Sequence, residues 1–490
     1  MGHTMDERLK IVKYINDPVY GGIGITQLEW ELIDTPAFQR LRKLRQLARV
    51  NYVFPGAEHS RYVHSLGVLH IMGLMVEHLC RQGKFSADDA VKMRVAALLH
   101  DIGHYPLSHL GESVYGYCKE TADTGGIVES VKAGDGRVGC RPLYEMAASH
   151  SDAADHEHLG KYVVQHNRAI CHILERNKLD PLEIGEIFTG ERGSRNMVYT
   201  QLLHSSLDAD RLDYLLRDSF QTGVTYGLVD LKYLVRLFMI VDDESMAQED
   251  KHVLVCNRKG QHVVEHFLMS RYFHYSQVIF HKTNVAFEGL IRCLYIKLIQ
   301  QKGFIYNSLE DIQNGVNDEE FLNFTDSFLE ESFEKHYRET NDKEYKRLYK
   351  MYRDRIRPKV VLEIKDLYEG KPSSGEAILL KRFLKREPKR ISKILGTDRW
   401  GYQIAPVQIE KIHGHNLAST KEDRQEELRE AVKLYDEIHG ISFIAEDDCS
   451  VIGKLAYYTN ELIRVYVFDE KGSRRDYNKI KRKLNELIAP

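Results

Sequence analysis

An α-helix that is apolar on nearly every side can only lie inside a protein. Residues Val63, Leu66, Leu69, Met72, Val76 and Leu79 give such a pattern from 63 to 79 and predict a buried helix. A second buried helix is predicted from about Ala87 to His100, through VKMRVAALLHD, and Gly103 and Pro106 break the pattern after it. Two wholly buried helices in succession place this chain in the helical class.

The rest of the chain fills in around them. INDPVYGGIG reads as a turn-rich opening, and Asp34-Thr35-Pro36 as a helix cap with Pro in the first turn, leading into FQRLRKLRQL. Residues 119–155 are small, polar and Gly-rich, and predict an exposed loop or insertion. Helical periodicity returns at Leu159–Arg176, at Tyr199–Ser219 and over about 260–302, with a strand predicted at 252–258 (HVLVCNR). Beyond residue 300 charged helices such as EYKRLYKMYRDRIR alternate with short β-type runs at Val360–Ile364, Ile441–Ala445 and Arg464–Phe468. The expected fold is mainly α. A helical catalytic body covers 1–300, and a smaller mixed α+β part covers 301–490, expected to serve oligomerisation or regulation.

With 490 residues and 43% apolar composition the chain can bury a large core, and its net charge of -3 gives no global pull toward nucleic acid or membrane. Seven cysteines without a C-x-x-C pair read as reduced thiols. The opening MGHTMDERLK has no apolar signal core and Asp6 breaks the myristoylation pattern, so a cytoplasmic location is expected. No run is read as long enough to span a bilayer.

Three segments carry ionisable groups where burial makes them costly: HSRYVHSLG at 59–67, LLHDIGHYPLSH at 98–109 and LLHSSLDADRLDYLLRD at 202–218. His64 lies in the first buried helix. His100 and Asp101 end the second. Asp210, between Leu207 and Tyr214 at helical spacing, faces inward. Alone, each has an ordinary reading: His64 as a core histidine, Asp210 as a cap or a partner of Arg211 or Arg217. Together they would all be satisfied by one divalent ion. Two imidazoles and two carboxylates leave open positions and suit Mn²⁺, Fe²⁺ or Mg²⁺ better than structural zinc. Such an ion acidifies water and polarises phosphate. Further histidines stand close: His104, four residues after His100 and able to share a helical face with it, His109 after the turn, and His156 in DHEHLG. Histidine can protonate a leaving oxygen at neutral pH. His158 reads as solvated.

These segments, with INDPVYG, IDTPAFQRLR, YVFPGAEHSRYVHSLG, DHEHLG and FHK at 280–282, resemble the HD-domain deoxynucleoside triphosphate triphosphohydrolases. The likeness is greatest to the branch holding the SAM-and-HD-domain dNTPase and its bacterial homologues, and it is dense from Lys13 to about Lys282, with the minimal HD region at about 61–215. The resemblance implies that a dNTP is split into deoxynucleoside and inorganic triphosphate by metal-activated water attack on the alpha-phosphorus. It implies His64, His100, Asp101 and Asp210 as metal ligands, and His109 as the catalytic histidine supported by His156. Glu112 stands where the family has Asp. It further implies triphosphate contacts from Arg61, His104, Arg211, Tyr214 and Arg271, and sugar contacts from Gln46, Leu47 and Asp218. Arg211 replaces a family Lys with a bidentate cation. Ile279 replaces the family's sugar-packing Tyr, so the deoxy preference is not implied at that position.

By the same resemblance a guanine nucleotide activator (GTP or dGTP) would meet Lys13, Asp34, Gln39 and Arg42, and the protein would be a homo-oligomer, a dimer or tetramer. Read from the residues alone, these four are a helix cap and solvated charges. Two basic runs, LLKRFLKREPKRISK and RVYVFDEKGSRRDYNKIKRK, are of a kind that binds nucleic acid, and the resemblance implies that such runs can also line nucleotide sites between subunits, although a solvated face is the favoured reading. Two other classes remain: an HD phosphohydrolase acting on monophosphates, ribonucleotides, alarmones or cyclic dinucleotides, and a nucleic-acid-binding regulatory protein. Gly103-His104 after the His-Asp pair replaces the alarmone enzymes' acidic pair, the G-Y-P element of the cyclic dinucleotide branch is missing, and the full ligand set with His109 argues against a regulatory protein.

Overall fold

The structure, a computed structural model, describes residues 7–123, 155–190, 197–243, 251–370, 372, 374–409, 431–470 and 475–489. Its central element is the helix Arg61–Arg81, buried along most of its length. The helix Ala87–Leu99 packs beside it, started by a Ser86–Asp89 capping box, and the helix Ala209–Thr222 crosses it on another side. The 21-residue central helix does reach the length and hydropathy of a membrane span, contrary to the reading of the sequence. It lies in the core and carries the buried polar residues Arg61, His64 and Ser65.

The fold is mainly helical, as expected, and the β structure is richer than the sequence suggested. The turn-rich opening is a hairpin, Ile11–Asp17 paired with Gly21–Thr26. Ile23 and Ile25 point into the core from its second strand, but the flanking glycines mask the alternation. The expected strand at 252–258 is His252–Asn257. It lies between Phe238–Asp242 and Lys433–Asp436, with Gly440–Phe443 at the edge. A three-stranded antiparallel sheet has Tyr458–Val467 at its centre, flanked by Lys359–Glu369 and Trp400–Val407. Three long helical stretches are each interrupted: His156–His166 and Arg168–Arg176; Met197–His204 and Ala209–Thr222; Gln261–His274 and Lys282–Gln300, the last pair joined through a π-turn. The helix His109–Asp123 covers the start of the expected loop at 119–155, and residues 124–154 lie outside the described residues.

One apolar core runs from Ile23 through Met351 and takes in Val432, Leu434, Ile444, Ile452 and Phe468, so late segments thread back into the helical body. A second core joins the three-stranded sheet to the helices Gly375–Arg386, Pro388–Leu395 and Tyr477–Ile488.

The segment between Leu99 and His109 has no regular structure and is held from several sides. Arg40 is buried and donates to the carbonyls of Ile102 (2.7 Å), His104 (3.1 Å) and Phe324 (2.8 Å). Burial lowers its pKa to about 9, so at neutral pH it stays charged against those dipoles. Leu107 and Ser108 both have left-handed backbone (φ 64° and 55°), costly for non-glycine residues. The buried Asp326 accepts the Leu107 N–H at 2.8 Å, and the Ser108 hydroxyl donates to the Arg45 carbonyl at 2.8 Å. Gly103 lets this segment touch the helix His156–His166: a Cβ there would stand 2.2 Å from the His156 carbonyl oxygen and 2.1 Å from the Gly160 nitrogen. Gly103→Ala should therefore destabilise the fold by about 2–4 kcal/mol, as backbone cannot yield as a side chain does. Denaturant unfolding checks this, and a change below about 0.5 kcal/mol would show the contact to be loose.

Candidate metal centre and active site

His64 sits in the first turn of the central helix, and its Nδ1 donates to Asp213 Oδ2 at 2.7 Å. Asp213 also accepts from the Tyr20 hydroxyl at 2.7 Å and from Arg217 at 2.9 and 3.0 Å, and Arg217 reaches on to Asp17 at 2.7 Å. Burial alone would raise the Asp213 pKa, but Arg217 and His64 outweigh it and hold the carboxyl below its usual range. Gly67, one turn beyond His64, makes room for this pair: its Cβ would fall 1.8 Å from Asp213 Oδ1. The carboxylate fixes the His64 tautomer and turns the Nε2 lone pair away from Asp213. His100, the residue at which the second helix ends, does the same through a backbone partner, donating from Nδ1 to the Ala97 carbonyl at 2.8 Å.

The two Nε2 atoms are buried and make no hydrogen bond among the described residues. Carboxylate oxygens surround them without the alignment of a hydrogen bond. Asp210 Oδ1 is 2.9 Å from His64 Nε2 and 3.7 Å from that of His100, and Asp101 offers oxygens at 3.7 and 3.4 Å. Two orphaned lone pairs and the Asp101 carboxylate lie within 4.8 Å of one another, and Asp210 adds a second carboxylate on the histidine side; together they are a donor set fitted to a divalent cation. Burial opposes protonation of both histidines, but Asp210 with Asp213 and Asp101 pushes His64 up to about 10, and Asp101 with Asp210 raises His100. The surroundings thus favour positive charge at this point.

The ligand segments differ in detail from the sequence reading. Asp210, expected to face inward, lies in the first turn of the helix Ala209–Thr222, and its side chain is 30% exposed. Neither arginine named as its partner takes it. Arg217 goes to Asp213, and Arg211 pairs with the buried Asp208, which caps the helix through the Arg211 N–H at 2.7 Å. His104 does not share a helical face with His100, since the helix stops at Leu99. It returns through the turn to place Nε2 3.1 Å from Asp101 Oδ1.

A second group lies alongside. Glu112 Oε2 is 3.1 Å from the Nδ1 atoms of both His109 and His156, so the longer carboxylate in place of Asp still reaches both rings. These two histidines lower the Glu112 pKa against the effect of burial. Asp155 and Glu112 raise that of His156 against burial, Asp155 lying 3.1 Å from its Nδ1. The His156 ring stacks on His104 at 3.9 Å, and His104 is kept neutral by burial and by Arg61 and His156. His109 is 66% exposed, with Nε2 on the ring edge opposite Glu112. His158 is half exposed, with Nδ1 3.6 Å from Asp155.

Of the expected substrate-contact residues, Arg61 and His104 reach a candidate ligand, Asp101. Arg61 is buried, donates to Asp101 Oδ2 at 2.8 Å and to the Ser108 hydroxyl at 3.1 Å, and so touches a candidate ligand directly. Arg271 is held by the Ser206 carbonyl at 3.3 Å, and Tyr214 lies 5.8 Å from the His274 ring. Gln46 has a buried side-chain oxygen without a partner among the described residues. Leu47 and Ile279 are partly buried, Leu47 in a small apolar cluster with Phe54, Val224 and Tyr226. Asp218 is buried, with its two oxygens 2.8 Å from His59 Nε2 and 3.0 Å from His274 Nε2. Of the expected activator residues, Lys13 stacks on Trp30 at 4.0 Å, Asp34 caps a short helix, Gln39 binds the Ile33 carbonyl, and Arg42 bonds Gln39 and covers Tyr62. The sequence reading missed Asp213, Tyr20, Asp208, Asp155, His59 and His274, and gave Arg217 the wrong partner. The repeated acids of DADRLD, with Arg217 four residues past Asp213, were the available signal.

Residues 61–218 match the family model described as HD domain. That span includes all four candidate ligands and the His109–Glu112–His156 group. The chain is 30% identical to the uncharacterized protein YwfO of Bacillus subtilis over 305 residues, covering 61% of this chain and 59% of that protein. It is 30% identical to the deoxynucleoside triphosphate triphosphohydrolase SAMHD1 of Homo sapiens over 260 residues, covering 49% and 39%. Among solved structures, a phosphohydrolase from Bacteroides thetaiotaomicron superposes with a TM-score of 0.61 at 25% identity, covering 93% of this chain and all of that one. A hypothetical protein from Aquifex aeolicus, at 23% identity, shares the fold with a TM-score of 0.64 over 97% of this chain. The chain spans only about three fifths of the first curated relatives it matches, 58% to 64% of their lengths.

If Asp213 orients His64 for an ion, Asp213→Asn should lower divalent-metal affinity by roughly 10- to 100-fold while the fold persists. Calorimetric titration of Mn²⁺ into the chelator-treated protein measures it, and unchanged affinity would show that Asp213 serves packing alone.

Proposed function

Taking as premise that residues 61–218 form an HD domain, we propose that this protein is a metal-dependent phosphohydrolase that cleaves a deoxynucleoside triphosphate to deoxynucleoside and inorganic triphosphate. The observation that carries the reading is the juxtaposition of the donor set His64, His100 and Asp101, with Asp210 beside the two histidines, and the His109–Glu112–His156 group, joined through Asp101, His104 and the His104–His156 stack. The relatives whose names state a deoxynucleoside triphosphate triphosphohydrolase activity support the substrate class.

When bound, a divalent cation supplies Lewis-acid polarisation of phosphate and an acidified water. The chain's own residues do the rest. Glu112 holds the Nδ1 edge of His109, so that ring presents Nε2, the atom that delivers a proton to the departing 5′-oxygen. His156 shares the same Glu112 oxygen and, held by Asp155, keeps that carboxylate charged and in place. Arg61, Arg211 and Arg271 bring three cations near the site for a triphosphate, each anchored by a partner that limits its motion. His104, neutral and close to Asp101, adds an imidazole to the same grip. Gln46, Leu47 and Asp218 are the sugar-side residues of this reading, with Tyr214 on the triphosphate side. Activation by a guanine nucleotide at Lys13, Asp34, Gln39 and Arg42, and assembly into a homo-oligomer, belong to the same proposal.

Incubating the metal-loaded protein with each dNTP and rNTP, with and without GTP, and identifying products by ion-exchange chromatography tests it. Nucleoside plus triphosphate is expected, and monophosphate or orthophosphate as the product would refute it. His109→Ala should keep metal and nucleotide binding but lose turnover by roughly a hundredfold or more. Near-normal turnover in that variant would remove His109 from the chemistry.

A further inference from the structure

The helices Gly375–Arg386 and Pro388–Leu395 carry seven basic residues (Lys381, Arg382, Lys385, Arg386, Lys389, Arg390, Lys393) and one acid, Glu376, with Glu387 between them. The helix Tyr477–Ile488 and its lead-in carry five basic residues (Arg475, Lys479, Lys481, Arg482, Lys483) and two acids, Asp476 and Glu486. In sequence the two runs are far apart, and each reads as a solvated face. In the fold all three helices pack on one another and on the three-stranded sheet. This concentrates positive charge in a chain whose net charge is -3.

Burial sets which side each helix shows. Ala377, Leu380, Phe383 and Leu384 of the first helix, Ile391 and Leu395 of the second, and Ile480, Leu484 and Ile488 of the third are buried in the core they share with the sheet. The basic residues are thereby left outside. Arg386, Lys389, Lys393, Lys479, Lys481 and Lys483 are exposed and have no acidic partner among the described residues. Neighbouring charges are compensated: Lys381 by Glu461 at 2.7 Å and Arg390 by Glu387 at 3.2 Å. Like charges left unpaired on adjacent helices repel, and a polyanion laid across them would relieve that repulsion.

We propose that this three-helix layer binds double-stranded nucleic acid through its phosphate backbone, independently of sequence. The choice among polyanions follows from what else the surface offers. Membrane-surface helices keep an apolar face free to enter the lipid, whereas here the apolar stripes are used against the sheet and Ile378 is the large apolar side chain exposed on these helices. Single-strand binding relies on aromatic stacking platforms, but the Tyr477 hydroxyl is tied to Asp469 at 2.7 Å, and Phe383 and Trp400 are buried in the module's core. What remains is a field of flexible ammonium and guanidinium groups. The 12-residue first helix, about 18 Å long, is commensurate with several successive phosphates of a duplex.

Fluorescence anisotropy of a short labelled duplex of arbitrary sequence, titrated with the full-length metal-loaded protein, tests the proposal. About six phosphate contacts predict a log–log salt slope near −5 and roughly a thousandfold weakening between about 50 and 200 mM salt. K389E/K393E and K479E/K483E should each weaken binding by about tenfold or more, with melting temperature and nucleotide hydrolysis unchanged. Salt-insensitive or absent duplex binding would overturn it. So would wild-type binding by both double variants, or binding of phosphatidylserine vesicles or polyglutamate as tight as that of the duplex. The wild-type salt slope decides the matter even if a variant fails to fold.

Discussion

The carboxylates Asp17, Asp101 and Asp213 are buried, with Asp210 at the margin, and the part of the molecule that holds the candidate site is organised around compensating them. A buried carboxylate without a partner is too costly to keep. Arg217 spans Asp17 and Asp213, Tyr20 completes Asp213, and Arg61 meets Asp101. What these partners leave uncovered is one point, where His64, His100, Asp101 and Asp210 face one another. The same arrangement explains Gly67, which a side chain would drive into Asp213.

Around that point the structure is held by long-range ties. Arg40, Asp326 and Arg45 fix the irregular segment from Ile102 to Ser108 from three directions, and two of these ties come from or reach the segment at 324–326. The left-handed conformation of Leu107 and Ser108, immediately before His109, is kept by these bonds. Positioning of the His109–Glu112–His156 group thus depends on residues over two hundred positions away in sequence, as the Asp326–Leu107 bond shows.

Much of this was legible in the sequence because it follows from local pattern. The buried helices showed in their periodicity, the Ala87 helix end in Gly103 and Pro106, and the three polar segments in the cost of burying His and Asp. The partners that make the site work were not legible, because they arise from packing. Asp213 faces His64 through a space left by a glycine on another helix, and His104 reaches Asp101 by a turn where periodicity suggested a helix. The hairpin at Ile11–Thr26 was hidden because its inward residues, Ile23 and Ile25, alternate with glycines that read as turn. The convergence of two distant basic runs on one surface likewise required the fold.

The central claim is that four side chains from three helix ends hold one divalent ion. Crystals of the Mn²⁺-loaded protein, examined by anomalous diffraction, test it most directly. The account predicts a single strong peak at about 2.0–2.3 Å from the Nε2 atoms of His64 and His100 and from carboxylate oxygens of Asp101 and Asp210. A peak held by other residues, or none between these four, would contradict it.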